Sequence, residues 1–560
     1  MVNLESKKLE DFLKFLIGIF LLLIINNMAS RAFFRIDLTE EKRYTIAKPT
    51  RELLRNLEDV VTIEVFLAGD LPAGFERFQK SIRETLEEFK SYAGGNLQYQ
   101  FIDPATAISE KSRNQFMQRL NSKGIQPTNL FATEEGKQIE KLIFPGAIVY
   151  YGGQEEGVML LKGNLAAGSQ ERLNQSIEGI EYELISTMRS MVMTDKKMVG
   201  ILKGHGTPSQ AGMAGLKNLV RDDYLIRDVA LGDTELDKID VLMVIKPTLR
   251  FSESEKYEID QYLMNGGKIF WLIDALRVSM DSLGGEGSIA SPYDLNLLDM
   301  LFQYGIRINN NHIMDLNASA YPVVVGNVGD QPQIRPMPWP YFPLINNFGN
   351  HPVTRNLNAI YTQFISTMDT VKATGVTKTP LMFTSQYCKI RQAPYPLNLN
   401  QIREGYNPEA FNAGPFTVSY LLDGTFTSLF KNRILPDNIA KESFLTESTN
   451  TKMIVVSDGD IAISATNPQT GEAVPLGFDP ITQQQFANQD FILNAIAYLI
   501  DEDGLITARN KEIKIRPLDK IKVQEGKLKW QLINLALPLV VLILFGVVKL
   551  LLRKRKYGRS

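Results

Sequence analysis

The chain has 560 residues, 44% hydrophobic and 22% charged, with a formal net charge of −2. That length accommodates several domains, and the near-neutral balance excludes a general nucleic-acid-binding role, which needs a basic footprint. The lone cysteine, Cys388, excludes an intrachain disulfide or a CxxC pair, and His205, His312 and His351 lie too far apart for metal-ligand spacing.

In chain order, Phe12 to Ala29 is predicted as a first membrane helix, centred on the apolar run Phe15 to Ile25. A cleaved signal peptide is the competing reading. Asn26-Asn27, then Met28 to Ala32 and the bulky Phe33-Phe34, make a poor small-x-small cleavage site. This favours an uncleaved helix over about 12–30. Lys7, Lys8 and Lys14 face Arg31, Arg35, Lys42 and Arg43, so flanking charge decides little.

A first soluble domain is expected over 35–193. Thr45 is the expected cap of a helix holding Leu53, Leu54 and Leu57. Val60 to Leu67 reads as a strand. Phe75, Phe78, Ile82, Leu86 and Phe89 recur at three- and four-residue steps, which predicts an amphipathic helix. Asn96 to Ile102 is a second strand, stopped by Asp103-Pro104, and a polar helix follows over Ser109 to Leu120. Leu142 to Phe144, Gly146 to Tyr151 and Val158 to Leu161 read as strands. Leu173, Ile177, Ile180, Leu184, Met188 and Met191 mark a closing helix. The order βαβαββα is that of a thioredoxin-like layer. With no cysteine in it, redox chemistry is excluded.

A second α/β domain is expected over 196–500. Met198 to Leu202, Tyr224 to Val229, Asp240 to Ile245, Lys268 to Ile273 and, much later, Thr451 to Ser457 are short apolar strands alternating with helices. That alternation predicts a doubly wound parallel sheet. The strand-turn-helix at Lys203 to Gly212 carries Gly204-His205-Gly206-Thr207-Pro208, which invites an anion-site reading. A dinucleotide fingerprint needs Gly where Ser209 stands, so a tight turn is the plainer reading. There is no G-x-x-x-x-G-K-[ST] stretch, and no cofactor or metal is expected. Over about 281–450 the pattern loosens into a long insert. Pro336 to Pro343 alternates prolines with bulky residues and could rigidly present Trp339, Tyr341 and Phe342 to a partner or ligand, or pack over the sheet.

Residues 501–529 read as a charged stalk. Leu532 to Leu552, within a span over 530–552, matches a hydrocarbon core of roughly 30 Å. Arg553, Lys554, Arg555 and Lys556 then form a basic tail, 553–560, expected on the cytoplasmic side. Two spans put both termini inside and export everything between.

Several stretches together resemble the GldG family, the gliding-motility auxiliary subunits of bacterial ABC transporters. They are RIDLTEEKRYTIA at Arg35 to Ala47, LAGDLP at Leu67 to Pro72, FIDP at Phe101 to Pro104 and LKGHG at Leu202 to Gly206. The stretch from Ile239 to Thr248, the GGK at Gly266 to Lys268, HPVT at His351 to Thr354 and Asn488 to Glu512 complete the set. Thr207 stands where relatives often carry Glu. The resemblance implies a two-pass protein of the bacterial inner membrane, working with a separate permease and a separate ATPase in gliding or linked secretion. It also implies that the second domain is a glutamine-amidotransferase-like sheet. Cys388, in the insert, lacks the strand-to-helix elbow of that fold's nucleophile, so the sheet reads as non-catalytic.

Three functions compete: a non-catalytic transporter subunit whose exported domains bind partners, a solute-binding subunit feeding the permease, and a tethered hydrolase. The last lacks a nucleophile-base pair at recognisable spacing. Tethering at both ends fits the first better than the second.

Overall fold

The computed structural model describes residues 12–24, 45–104, 110–134, 137–162, 169–192, 196–285, 287–328, 331–436, 444–467, 470–501, 504, 508 and 520–557. Residues 25–30 of the first apolar segment, 35–44 of the first domain, 509–519 of the stalk and 558–560 of the tail lie outside these. The chain forms two compact units, 1–511 and 512–560.

The first unit opens with a short apolar helix, α1 (Phe12–Ile24). Beyond it, α2 (Lys48–Arg55), β1 (Val61–Val65), α3 (Ala73–Ala93), β2 (Leu97–Phe101) and α4 (Glu110–Ser122) follow. The hairpin β3 (Thr128–Glu134) and β4 (Lys137–Ile143), then β5 (Gly146–Tyr151), β6 (Gln154–Met159) and α5 (Ser169–Val192) complete this part. Four strands pair in the order β2-β1-β5-β6. β1 and β2 are parallel, and the β1–β5 and β5–β6 pairs are antiparallel. In β1, Val61, Ile63 and Val65 are fully buried while Thr62 and Glu64 are half-buried, the period of two that one packed face requires. Phe78, Ile82, Leu86 and Phe89 of α3 are fully buried in the same core as Leu184 and Ile185 of α5.

Two expectations need correcting here. Thr45 does not cap α2: the helix starts after Ala47, with Pro49 in its first turn, where a missing N–H costs nothing. Ala47 N instead donates to Glu181 Oε1 on α5 at 2.6 Å. The strand expected at Leu142 to Phe144 is the end of β4, whose seven residues pair with β3 alone. Polar residues such as Lys137, Gln138, Glu140 and Lys141 conceal that hairpin from a hydrophobicity pattern.

The rest of the first unit is built on an eight-stranded sheet. Its parallel part contains β7 (Met198–Leu202), β8 (Leu225–Val229), β9 (Val241–Ile245) and β10 (Lys268–Leu272), with α6 (Gln210–Arg221) and α7 (Glu253–Met264) between strands. From one edge the order is β8-β7-β9-β10, then the strand Glu447–Val456, also parallel. Val241, Met243 and Ile245 pack on one face with α6 and the helix Asn488–Ile500. Leu242 and Val244 pack on the other with α7. Burial on both faces is why these strands read as unbroken apolar runs.

The insert is more regular than its sequence suggests. The strands Thr417–Thr427, Val376–Phe383 and Asn347–Phe348 extend the sheet in antiparallel fashion beyond Glu447–Val456. Pro336 to Pro343 is not a free polyproline segment. It lies in a long strand, Gln331–Ile345, paired with Ala318–Val328. Pro322 faces Pro336 and Ala320 faces Pro338, two alternate steps of the ladder. The missing N–H groups therefore fall where backbone donors point away from the partner strand. The ladder survives, and the outer edges lose donors that a stray strand could use.

The second unit contains the helix Lys520–Tyr557, 38 residues long, with Pro538 inside it. Its segment Lys529–Leu552 contains an 18-residue window of mean hydropathy 2.8 with no buried residues, and is long and apolar enough to cross a membrane.

Candidate functional site at the strand ends

Open parallel sheets bind ligands outside the carboxyl ends of their strands, where strand order reverses. Here that reversal lies between β7 and β9. β9, β10 and Glu447–Val456 each deliver a charged residue just past their carboxyl ends: Lys246, Asp274, and the pair Asp458 and Asp460. Lys246 Nζ lies 2.6 Å from both oxygens of Asp460 and 3.0 Å from Asp274 Oδ2. Asp274 Oδ1 accepts from Gly459 N at 2.6 Å. Asp458 accepts from Asp460 N at 2.7 Å and from Gln363 N at 2.9 Å. Lys246 has a backbone φ of 42°, a left-handed conformation that costs a residue with a Cβ about 1–2 kcal/mol. Gly459 packs directly on it, and a Cβ there would collide with the Lys246 Cβ.

Burial opposes charge throughout this cluster. It pushes Asp460 up to about 6 despite the Lys246 ammonium beside it. Burial, then Asp460 and Asp274, push Asp458 well above the usual carboxylate range. Burial also works against the Lys246 charge, but Asp274 and Asp460 outweigh it and hold the ammonium well above its ordinary value. Ligand oxygens of Asp274, Asp458 and Asp460 lie within 4.8 Å of one another, the spacing a hard cation uses. The Lys246 ammonium already supplies positive charge among them. The arrangement neutralises itself and ties three strand ends together.

The Gly204 to Pro208 turn follows β7, the strand beside β9 in the sheet, and is held by its own contacts. His205 (φ 53°) has its ring stacked on Phe251, with centroids 3.8 Å apart and an interplanar angle of 5°. Its Nε2 is 3.1 Å from Glu255 Oε1. Burial pushes Glu255 up, but hydrogen bonds from Ser252, whose side chain caps α7, and from His205 hold it below the usual range. His205 O accepts from Thr248 N and Leu249 N at 2.7 and 2.9 Å. Thr248 Oγ1 donates to Gly206 O at 3.0 Å, and a Cβ at Gly206 would overlap that hydroxyl. Thr207 N donates to Gly204 O at 3.0 Å and belongs to the same turn. The loops after β7 and β9 are thus hydrogen-bonded to each other beside the strand ends.

The remaining expected contacts lie elsewhere. Trp339, Tyr341 and Phe342 are not presented to a partner: they are 0%, 0% and 3% exposed, inside the larger core. The reason is the strand's register and the aromatic neighbours Tyr321, Phe364 and Tyr395, which pack on them. Lys554 and Arg555 are exposed at the end of the last helix, which also includes Arg553 and Lys556. Cys388 is fully buried, with Sγ 3.2 Å from Asp315 Oδ2 and 3.0 Å from Ser385 O. Burial pushes its thiol up to about 12, the opposite of an activated nucleophile.

A family model described as an ABC-type uncharacterized transport system matches residues 196–495. A model for a domain of unknown function matches residues 40–150. A Borreliella burgdorferi protein, described as uncharacterized, is 24% identical over 319 residues, or 56% of this chain; the match spans 58% of that relative's length. Among solved structures, the mmIFT52 N-terminal domain is similar at 14% identity and a TM-score of 0.30, covering 55% of this chain and 99% of that one. The first family match takes in more than half of the chain, which therefore belongs to the ABC-type uncharacterized transport system family, as an auxiliary component of such a system.

Proposed function

We propose that the chain is a non-catalytic, membrane-anchored auxiliary subunit that works with a separate permease and a separate ATPase, in gliding motility or linked secretion. The observation that supports this reading is the internal pairing of the polar groups at the strand ends. Lys246 is ion-paired to Asp274 and Asp460, Thr248 fills the turn at Gly206, and Cys388 is buried with a raised pKa. Charged groups already paired with one another favour a scaffold over a solute carrier, which needs convergent polar groups left for its ligand.

The proposed organisation is a thioredoxin-like domain over 35–193, supported by the order β2-β1-β5-β6, and a glutamine-amidotransferase-like domain over 196–500, supported by the parallel sheet. Helices over 12–30 and 530–552 would anchor both in the bacterial inner membrane, with both termini cytoplasmic. The exported part would bind neither nucleic acid nor a cofactor.

Co-purification in mild detergent tests the reading. The full chain should bring down a permease and an ATPase, and should hydrolyse neither ATP nor glutamine by itself. Replacing both apolar helices with unrelated leucine-rich spans should keep the chain in the membrane and lose the permease. Recovery of the full chain without transporter components, or an intrinsic hydrolase activity abolished by Cys388→Ala, would overturn it.

A further inference from the structure

α5 buries one face in the first core through Leu173, Ile180, Leu184 and Met188. At about 100° per residue, Gln175, Glu178, Tyr182 and Arg189 fall on the opposite face, within about 60° of one another. These four meet the second domain or the chain just beyond it. Gln175 O accepts from Asn356 Nδ2 at 3.2 Å. Glu178 pairs with Arg355 at 3.7 Å, both side chains 12% exposed. Arg189 reaches Asp501 at 3.3 Å, and the Asp501 side chain is 2% exposed. The contacts from Gln175 to Arg189 cover about 21 Å of helix at 1.5 Å per residue.

Tyr182 occupies the middle of this seam. It is buried together with Ala508, and Ala47, Ala497 and Tyr498 pack against the pair. Beside it, Glu181 accepts from Ala47 N at 2.6 Å. Ala497 and Tyr498 belong to the helix Asn488–Ile500. Ala508 lies past that helix, on the stretch that leads to Lys520–Tyr557. Among the described residues, this is the only apolar cluster with members from both domains. An interface fixes two domains only when it is large and hydrophobic. Here the apolar part is small, and one of its two buried members comes from outside both domains.

We propose that Ala508 is a wedge. Seated against Tyr182, it holds the first and second domains as one body, and when it leaves that seat they move relative to each other. The arrangement of the domains is thereby tied to the stretch leading to the last helix. The inference rests on the division at 35–193 and 196–500 proposed above. It makes no use of transporter partners, so a co-purification without them would leave it standing.

Spin labels test it in the full chain in detergent. Labels at Lys90→Cys on α3 and Asn218→Cys on α6, both exposed positions, report the distance between the domains. Labels at Lys90→Cys and Gln154→Cys stay within the first domain and report its integrity. The otherwise unsubstituted chain should give one narrow interdomain distance. Ala508→Glu sets a carboxylate against a buried ring, where it is disfavoured. It should abolish the narrow interdomain peak and leave the Lys90–Gln154 distance narrow. Ala508→Ser should keep both peaks narrow. Tyr182→Ala removes the other half of the contact and should act as Ala508→Glu does, so a folding defect in one variant still leaves the other to decide. A broad interdomain distribution in the unsubstituted chain, or a narrow one that survives both Ala508→Glu and Tyr182→Ala, overturns the wedge.

Discussion

The Lys246 ammonium sits 2.6 Å from both carboxylate oxygens of Asp460, although 214 residues separate the two in sequence. The contact joins the end of β9 to the end of Glu447–Val456 across β10, whose own Asp274 completes it. A group placed there acts as a clasp on the middle of the sheet.

Lys246→Met leaves Asp274, Asp458 and Asp460 facing one another without their cation. Removing one partner of a buried pair costs about 3–5 kcal/mol. The Lys246 side chain is 24% exposed, which places the loss near the lower end of that range. Thermal unfolding of the detergent-solubilised chain should show a clear drop in Tm. The double variant Lys246→Met/Asp460→Asn should recover part of it. An unchanged Tm in the single variant would count against the clasp.

The same cluster sets a pH dependence of defined sign. Asp460 is raised to about 6 in the folded chain, above an ordinary aspartate near 4. The folded state therefore binds its proton more tightly than the unfolded state. The associated stability is fully present below about pH 4 and is lost as pH rises through about 6. Asp458 shifts in the same direction. Tm measured between pH 4 and 7 should show this fall, and Asp460→Asn should flatten it.

Cys388 should resist alkylation in the native chain at pH 8 and react only after denaturation, because its thiol is buried and raised to about 12. Rapid native labelling would contradict the packing around Asp315. A silent native thiol also permits a topology test without removing it. An impermeant maleimide should label Gln154→Cys from the periplasmic side of intact cells, and Ser560→Cys only after permeabilisation.

Trp339→Ala should lower stability by about 3–5 kcal/mol, the usual cost of emptying a large buried aromatic site. Its ring is fully buried against Tyr321, Phe342 and Phe364. A variant that unfolds normally and loses only partner binding would restore the presenting role expected for this segment.

The parallel strands were legible because burial on both faces turns DVLMVI, KIFWLI and TKMIVVS into uninterrupted apolar runs. α3 was legible for the opposite reason, since one buried face gives Phe78, Ile82, Leu86 and Phe89 their helical spacing. The β3–β4 hairpin was hidden by its polar residues. The Pro336 to Pro343 strand was hidden because its prolines use the outer edge, a distinction that exists only once the partner strand is in place. The cluster was half legible. A charged residue follows each buried run: Lys246, Asp274 and Asp458. Bringing them together requires the order β9, β10, Glu447–Val456, and the long insert keeps that adjacency out of local sequence. His205 and Thr207 were found as a turn, and the packing of His205 against Thr248, Leu249 and Phe251 depends on the neighbouring strand.

The helix Lys520–Tyr557 is continuous over its 38 residues, about 57 Å at 1.5 Å per residue. A hydrocarbon layer of roughly 30 Å would take up little more than half of that length. A segment this long without an internal loop is stiff over most of its length. Pro538 is the natural place for it to bend. A glycine-rich insertion just ahead of Lys529 would break this continuity while leaving the apolar segment Lys529–Leu552 intact.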